Sequence, residues 1–120
     1  MALILVVDDE VLLSDILEAM LTDDGHEVVT APHGRAALQL IRERKPALVI
    51  SDFMMPLMTG LELTQAIRAD GEIADLPVVL LTGAQGNIAR QHKDLFNSVI
   101  DKPYNPEDLL ELVKILTKNA

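Results

Sequence analysis

Short apolar runs alternate with longer segments of helical period along the whole chain, and this pattern limits the possible folds more than any other feature. The runs predict five strands: Ala2–Val7, Glu27–Ala31, Ala47–Ser51, Pro77–Leu81 and Ser98–Asp101. After each strand, apolar residues recur every three or four positions, as they do on one face of a helix. Strands that alternate with helices pair in parallel through right-handed crossovers. The sequence therefore predicts an α/β fold, a doubly wound five-stranded parallel sheet with five helices.

Local signals place the ends of the predicted helices. Gly25 ends the first helix, because glycine accepts the left-handed conformation. Thr59 and Glu62 form a capping box at the start of the third, and Asn105 caps the fifth. The fourth is expected to be weak, around Asn87–Leu95. Apolar spacing predicts that the first helix buries Leu12, Leu13, Ile16, Leu17, Met20 and Leu21, and that the last buries Leu109, Leu112, Val113 and Leu116.

The composition of the strands suggests their order in the sheet. The first, third and fourth runs are solidly apolar, as expected for strands covered by helices on both faces. The second and fifth runs are more polar and suit sheet edges, so the order 2-1-3-4-5 fits. In such sheets, ligands bind beyond the carboxyl ends of the strands, where the order reverses between strands one and three.

Length and charge narrow the class of protein. One hundred and twenty residues predict a single domain over residues 1–120. Ten basic and nineteen acidic residues give a net charge of −9, which argues against nucleic acid or an anionic membrane as the main partner. The chain has no cysteine, so disulfides and thiolate chemistry are excluded. No apolar run is long enough to span a membrane, and we expect a cytoplasmic protein.

Polar side chains follow four of the five predicted strands. Asp8 and Asp9 follow strand one, Asp52 strand three, Thr82 strand four and Lys102 strand five. Taken singly, each is better explained as a cap, a turn former or a strand residue; together they mark a site. Two carboxylates about 4 Å apart repel by about 4 kcal/mol at an effective dielectric near 20. Mg²⁺ would offset this repulsion, whereas the lack of His and Cys in these motifs makes zinc a poor candidate.

These groups are suited to accepting a phosphoryl group. A carboxylate can attack phosphorus as a covalent nucleophile. A divalent cation and the Lys102 ammonium would spread the charge of the transferred group, and Thr82 would donate a hydrogen bond to it.

The residues at these strand ends carry a resemblance that extends along the whole chain. The chain resembles the receiver domain of two-component response regulators. The motifs that carry the match are Val6–Glu10, Ser51–Gly60, Leu80–Gly83 and Asp101–Tyr104. Together these motifs are specific for the family, whereas the Asp-Asp pair alone would be weak evidence.

The resemblance implies a role for each site residue. Asp52 would be the phosphoacceptor, charged by a sensor histidine kinase or a histidine phosphotransfer protein. Mg²⁺ would be bound by Asp9 directly, by Asp8 mainly through water, by Asp52 and by the backbone carbonyl of Met54. Lys102 would pair with the phosphoryl group.

The resemblance also implies a switch. Thr82 would move to hydrogen-bond the phosphoryl group, and Pro103 matches a position that is usually cis. The family often has an aromatic residue where this chain has Val99, and its ring turns inward when the threonine moves. Because Val99 has no ring, we expect smaller shifts of Ile88, Val99 and Tyr104. The output would be contact with a downstream protein or output domain, or a homodimer through the face formed by helix four, strand five and helix five.

Two neighbours of the site bear on the lifetime of the phosphoryl group. Met54 and Ala84 occupy positions whose side chains, in the family, influence the attack of water on the acyl phosphate. Neither side chain can orient a water molecule, so slow self-dephosphorylation is expected.

Two other classes of function stay open. Haloacid-dehalogenase-like phosphatases use similar groups, but with the nucleophile on the first strand and an acid two residues later, so an enzyme fits less well than a signalling module. A phosphorylation-independent interaction module or a flavodoxin-like cofactor binder is a further alternative. The sequence does not distinguish a stand-alone regulator from a domain of a longer protein.

Overall fold

The computed structural model describes residues 2–83 and 86–118, in which a parallel sheet is covered by helices on both faces. The strands are β1 Leu3–Val7, β2 Glu27–Ala31, β3 Leu48–Asp52, β4 Val78–Thr82 and β5 Ser98–Asp101. The helices are α1 Val11–Asp23, α2 Gly34–Arg44, α3 Gly60–Ala69, α4 Gly86–Arg90 and α5 Pro106–Leu116, with a 3₁₀ turn at Lys93–Leu95. The strand order β2-β1-β3-β4-β5 confirms the predicted topology.

Alternating side chains of the strands build one apolar layer on each side of the sheet. Along β1, Ile4 and Val6 pack on the side of α1 and α5. Leu5 and Val7 pack on the opposite side, among buried residues of α2, α3 and α4. Successive side chains of a strand point to opposite faces. A strand that must fill both layers therefore reads as a continuous apolar run, which is why β1, β3 and β4 could be recognised from composition.

The parallel register brings the carboxyl ends of the strands to one edge of the sheet. Asp52 at the end of β3 is level with Leu81 of β4, and Thr82 is level with Asp101 of β5. β2 and β5 are the edge strands, as their polar residues predicted, and most of their side chains are at least partly exposed. The polar groups at the ends of β3 and β4 and just after the ends of β1 and β5 therefore lie along the same edge.

The predicted apolar face of α1 is partly wrong. Leu17 and Leu21 are buried, but Leu12, Leu13 and Ile16 are 72%, 42% and 51% exposed. Consecutive residues of a helix are rotated by about 100°, so the apolar residues from Val11 onward cover too much of the circumference for all of them to face the sheet. Apolar spacing alone does not decide which side is buried.

The fourth helix is shorter than predicted. It ends at Arg90, and the 3₁₀ turn Lys93–Leu95 takes up the rest of the expected segment. In α5, Leu109 and Val113 are fully buried, whereas Leu112 and Leu116 are partly buried. Every helix within the described residues is too short or too polar to cross a bilayer.

Several predicted local signals are confirmed. Thr59 and Glu62 make both hydrogen bonds of the capping box at α3, at 3.1 and 2.9 Å. Asn105 accepts hydrogen bonds from the first backbone N–H groups of α5. Gly25 has a φ of +95°, a conformation that glycine adopts without steric cost. The Lys102–Pro103 peptide bond is cis, as the resemblance implied.

A histidine caps α2. Nδ1 of His33 accepts a hydrogen bond from the backbone N–H of Ala36 at 3.2 Å. Replacing His33 with alanine removes this acceptor and is expected to lower the free energy of unfolding by about 1 kcal/mol, the usual contribution of a cap. His33→Asn supplies an oxygen acceptor and is expected to stay close to wild type in urea unfolding.

A matched control for this prediction is His92→Ala. His92 precedes the 3₁₀ turn but makes no capping hydrogen bond through its side chain, so its replacement is expected to leave the urea midpoint unchanged. Equal destabilisation by His33→Ala and His33→Asn would show that the cap does not stabilise α2.

Candidate functional site

Three carboxylates meet at the edge of the sheet where the strand order reverses. Asp8 and Asp9 follow β1, and Asp52 is the last residue of β3. One carboxylate oxygen from each lies within 4.8 Å of those of the other two. Asp8 and Asp52 are 9% and 6% exposed, whereas Asp9 is open to solvent. The site is therefore an acidic cluster of two buried carboxylates and one, Asp9, that is open to solvent.

The donor set of this acidic cluster can hold a divalent cation. Three carboxylates carry three negative charges, and the Lys102 ammonium supplies one positive charge among them. Oxygen donors from carboxylates are the ligands that Mg²⁺ and Ca²⁺ prefer. The residues present therefore fit a hard cation that would neutralise the remaining charge.

Lys102 lies immediately after β5 and crosses to the acidic cluster. Its Nζ donates a hydrogen bond to Oδ1 of Asp52 at 2.5 Å. Burial by itself lowers the pKa of the Lys102 ammonium, but the hydrogen bond to Asp52 and the charges of Asp52, Asp8 and Glu10 together raise it above its ordinary value. Lys102 is therefore charged at neutral pH and offsets part of the negative charge of the site.

Asp8 has an unfavourable environment for its negative charge. Burial raises its pKa above the ordinary value of 3.8, and the charges of Asp52 and Asp9 raise it further. The hydrogen bond that Asp8 accepts from the backbone N–H of Glu10 at 2.9 Å and the charge of Lys102 act in the opposite direction without cancelling the shift. Ionised Asp8 therefore opposes folding when no cation is bound.

This shift gives a pH-dependent prediction. Because the folded protein holds the Asp8 proton more tightly than the unfolded chain, the contribution of Asp8 to stability falls as pH rises from 3.8 through the folded pKa and stays reduced above it. Asp8→Asn is expected to raise the free energy of unfolding at pH 7 without divalent cations by on the order of 1 kcal/mol, since it removes a charge but keeps an acceptor for Glu10.

Urea unfolding at several pH values above 3.8 measures this effect. Asp15→Asn is the control, because Asp15 is an exposed acid on α1, and it is expected to behave like wild type. An Asp8→Asn protein that is less stable than wild type at pH 7 would contradict the account of Asp8.

Thr82 ends β4 beside the acidic cluster. It is fully buried, and its hydroxyl donates to the Gly83 carbonyl oxygen at 3.3 Å. Backbone hydrogen bonds tie the strand ends together: the N–H of Phe53 donates to Leu81 O, and the N–H of Lys102 donates to Thr82 O. The hydroxyl therefore lies one strand away from Asp52 and donates to the backbone of the loop that follows β4.

Gly60 lets the loop after Asp52 close tightly. Its N–H donates to Phe53 O at 2.8 Å, and a Cβ at this position would overlap the backbone carbonyl oxygen of Asp52 and a methyl group of Leu80. Gly60 is the last residue of the Ser51–Gly60 motif, which carries the resemblance. The close backbone approach is a physical reason for a glycine at this position.

The other predicted site residues surround this centre. Met54 lies in the loop two residues beyond Asp52 and is 52% exposed. Val99 is in the middle of β5, level with Leu80, and packs against the core. Tyr104 is partly buried, and burial raises its pKa. Ala84 lies outside the described residues. The structure brings Asp8, Asp9, Asp52 and Lys102 into one cluster, and the roles of all these residues stay predictions.

One ion pair near the site was not predicted from the sequence. Arg90 of α4 forms a forked salt bridge with Asp101, at 2.8 Å for its closest pair of atoms. The signal available in the sequence was weak: an acid at the end of an edge strand, next to Lys102. Its partner lies eleven residues earlier in a helix with no clear period.

A comparison with protein families identifies residues 4–114 as a response regulator receiver domain. Among curated proteins, the chain is similar to the probable transcriptional regulator ycf27 of Porphyra purpurea, with 36% identity over 120 residues, 98% of this chain and 48% of the relative. The chain spans about half the length of this protein and of three other ycf27 relatives.

Solved structures give the same result. The chain is similar to the Vibrio cholerae chemotaxis protein CheY4, with a TM-score of 0.88 and 33% identity over 97% of this chain and 98% of that one. It is also similar to the response regulator TrrA of Thermotoga maritima in complex with Mg²⁺ and BeF, with a TM-score of 0.87 and 34% identity over 97% and 99% of the two chains.

Proposed function

Because the chain belongs to the response regulator receiver domain family, we propose that Asp52 accepts a phosphoryl group from a phosphohistidine of a sensor histidine kinase or a histidine phosphotransfer protein. Receiver domains are signalling modules of two-component systems. Residues 1–120 would form a single such domain, working in the cytoplasm as a switch rather than as a turnover enzyme. The observation that carries the proposal is the convergence of Asp52 with two further carboxylates and a lysine at one edge of the sheet.

The proposed metal site consists of Asp8, Asp9, Asp52 and the backbone carbonyl of Met54, with Mg²⁺ as the cation. The three carboxylates offer oxygens within 4.8 Å of one another, and Mg²⁺ is commonly held by one or two carboxylates together with waters and phosphate oxygens. When bound, the ion would offset negative charge on the phosphoryl group and on the carboxylates. The TrrA structure, which contains Mg²⁺ and BeF, supports this choice.

The protein's own residues would carry the transfer. A carboxylate oxygen of Asp52 attacks phosphorus, the new O–P bond forms as the N–P bond of the phosphohistidine breaks, and the electron pair stays on the imidazole nitrogen, which takes a proton. Lys102, which already donates to Asp52, would offset the charge of the phosphoryl oxygens. Thr82 would turn to donate to one of them. The acyl phosphate is later hydrolysed by water.

The output would be an altered protein surface. Movement of Thr82 would be transmitted to the face formed by α4, β5 and α5, through small shifts of Ile88, Val99, Tyr104 and the segment at Pro103. That face would contact a downstream protein or output domain, or a second copy of the chain. About half of the length of the Porphyra purpurea relative ycf27 lies outside the region that this chain matches, which is compatible with each of these outputs.

The experiment that tests the proposal is incubation with acetyl phosphate and Mg²⁺, followed by intact mass spectrometry. Wild type is expected to gain one phosphoryl group, and Asp52→Asn none. Asp23→Asn, which changes an exposed acid at the end of α1, is expected to behave like wild type. An adduct of equal yield in Asp52→Asn would move the acceptor to another residue.

A further inference from the structure

A salt bridge joins the short helix α4 to the end of β5. Arg90 donates from Nη1 and Nη2 to the two carboxylate oxygens of Asp101, at 3.1 and 2.8 Å. A guanidinium and a carboxylate paired in this fork restrict each other's orientation more than a single hydrogen bond does. α4 has five residues, far fewer than an isolated helix needs to be stable. Contacts with β5 therefore largely determine where α4 lies.

The salt bridge lies beside the hydroxyl group of Thr82. Thr82 and Asp101 are paired neighbours in the parallel ladder of β4 and β5, so their side chains project from the same face of the sheet. Gly86, the first residue of α4, packs against both. A methyl group on its Cα would lie 2.7 Å from Arg90 Nη1 and Asp101 Oδ1, and 3.6 Å from Thr82 Oγ1. The hydroxyl, the salt bridge and the start of α4 thus form one packed cluster.

This cluster exists in the arrangement where the Thr82 hydroxyl is directed to Gly83 O. Under the proposed function, the hydroxyl turns toward a phosphoryl group on Asp52 and moves away from Gly86. An interaction made in only one of two arrangements shifts the population toward that arrangement. The salt bridge is present in the arrangement that precedes this rotation of the Thr82 hydroxyl.

We propose that the Arg90–Asp101 salt bridge positions α4 over Thr82 and holds the switch in its resting arrangement. The inference rests on the proposed function, because it concerns the equilibrium that phosphorylation of Asp52 shifts. Neither residue lies in the acidic cluster, so both are positioning residues. Their side chains are 46% and 58% exposed, and ion pairs with this exposure change an equilibrium by at most about fivefold.

The test is the apparent affinity for beryllofluoride, a mimic of the phosphoryl group, in an NMR titration at saturating Mg²⁺. Arg90→Gln and Asp101→Asn each break the salt bridge, and each is expected to tighten beryllofluoride binding, by at most about fivefold. The charge swap that combines Arg90→Asp with Asp101→Arg is expected to return the affinity toward wild type, which loss of packing alone would not do.

Arg44→Gln is the matched control. Arg44 and Glu27 form a salt bridge of similar exposure on the opposite edge of the sheet, at 3.0 Å, and its loss is expected to leave the affinity unchanged. Unchanged or weaker binding by Arg90→Gln and Asp101→Asn, or a charge swap that binds as tightly as they do, overturns the inference while wild type still binds. A wild type that does not bind beryllofluoride removes the proposed function, and the inference with it.

Discussion

Lys102→Met is expected to slow phosphorylation of Asp52 by acetyl phosphate by about 10²-fold, the usual effect of removing one group that stabilises charge in a transition state. The ammonium of Lys102 lies 2.5 Å from Asp52 Oδ1 and is the one positive group in the described acidic cluster. Without it, the phosphoryl oxygens would approach three carboxylates with less of their charge offset. The initial rate of adduct formation, followed by intact mass at fixed Mg²⁺, measures the effect.

Lys93→Met is the control for this prediction. Lys93 is an exposed lysine in the 3₁₀ turn, and its replacement changes the net charge of the protein by the same amount. We expect it to be phosphorylated at the wild-type rate. If Lys102→Met were phosphorylated as fast as Lys93→Met, the charge of Lys102 would have no part in the transfer.

Mg²⁺ is expected to stabilise the folded protein strongly. A ligand that binds only the folded state at a hundred times its dissociation constant raises the free energy of unfolding by about 2.7 kcal/mol. Part of this binding free energy would come from offsetting the charge of Asp8, whose pKa is raised by burial and by the charges of Asp52 and Asp9. Asp9→Ala removes the most exposed carboxylate of the cluster and is expected to lose most of the gain from Mg²⁺. Urea unfolding with and without MgCl₂ measures it.

The control compares MgCl₂ with NaCl at equal ionic strength, so that screening of the net charge is separated from binding. Asp24→Ala, at the exposed end of α1, is expected to keep the full gain. A gain of equal size in Asp9→Ala would mean that Mg²⁺ stabilises the protein from another place.

The strands and the candidate site could be predicted because both follow from one property of parallel sheets. Buried strands are mostly apolar, so β1, β3 and β4 stand out, and the polar residue at or just after the carboxyl end of each lies at the same edge. Asp52 and Lys102 are 50 residues apart, yet knowing the ends of β3 and β5 was enough to expect them to meet.

The features that could not be predicted depend on the rotation of a helix about its axis and on the direction of individual side chains. The apolar run Val11–Leu13 gives no preferred side to the start of α1, and its exposed leucines were expected to be buried. The Arg90–Asp101 salt bridge joins two exposed residues, and patterns of apolar residues do not predict such contacts. The hydrogen bond of His33 needed the extended backbone that precedes α2, a geometry that residue types alone do not specify.

The central claim is that Asp52, beside a divalent cation, takes up a phosphoryl group and that Thr82 and Lys102 respond to it. The most direct measurement is an amide NMR spectrum at saturating Mg²⁺ before and after addition of beryllofluoride. We expect shifts at Asp52, Thr82 and Lys102 that extend into α4 and β5, and none of them in Asp52→Asn. A wild-type spectrum that beryllofluoride leaves unchanged would contradict the account.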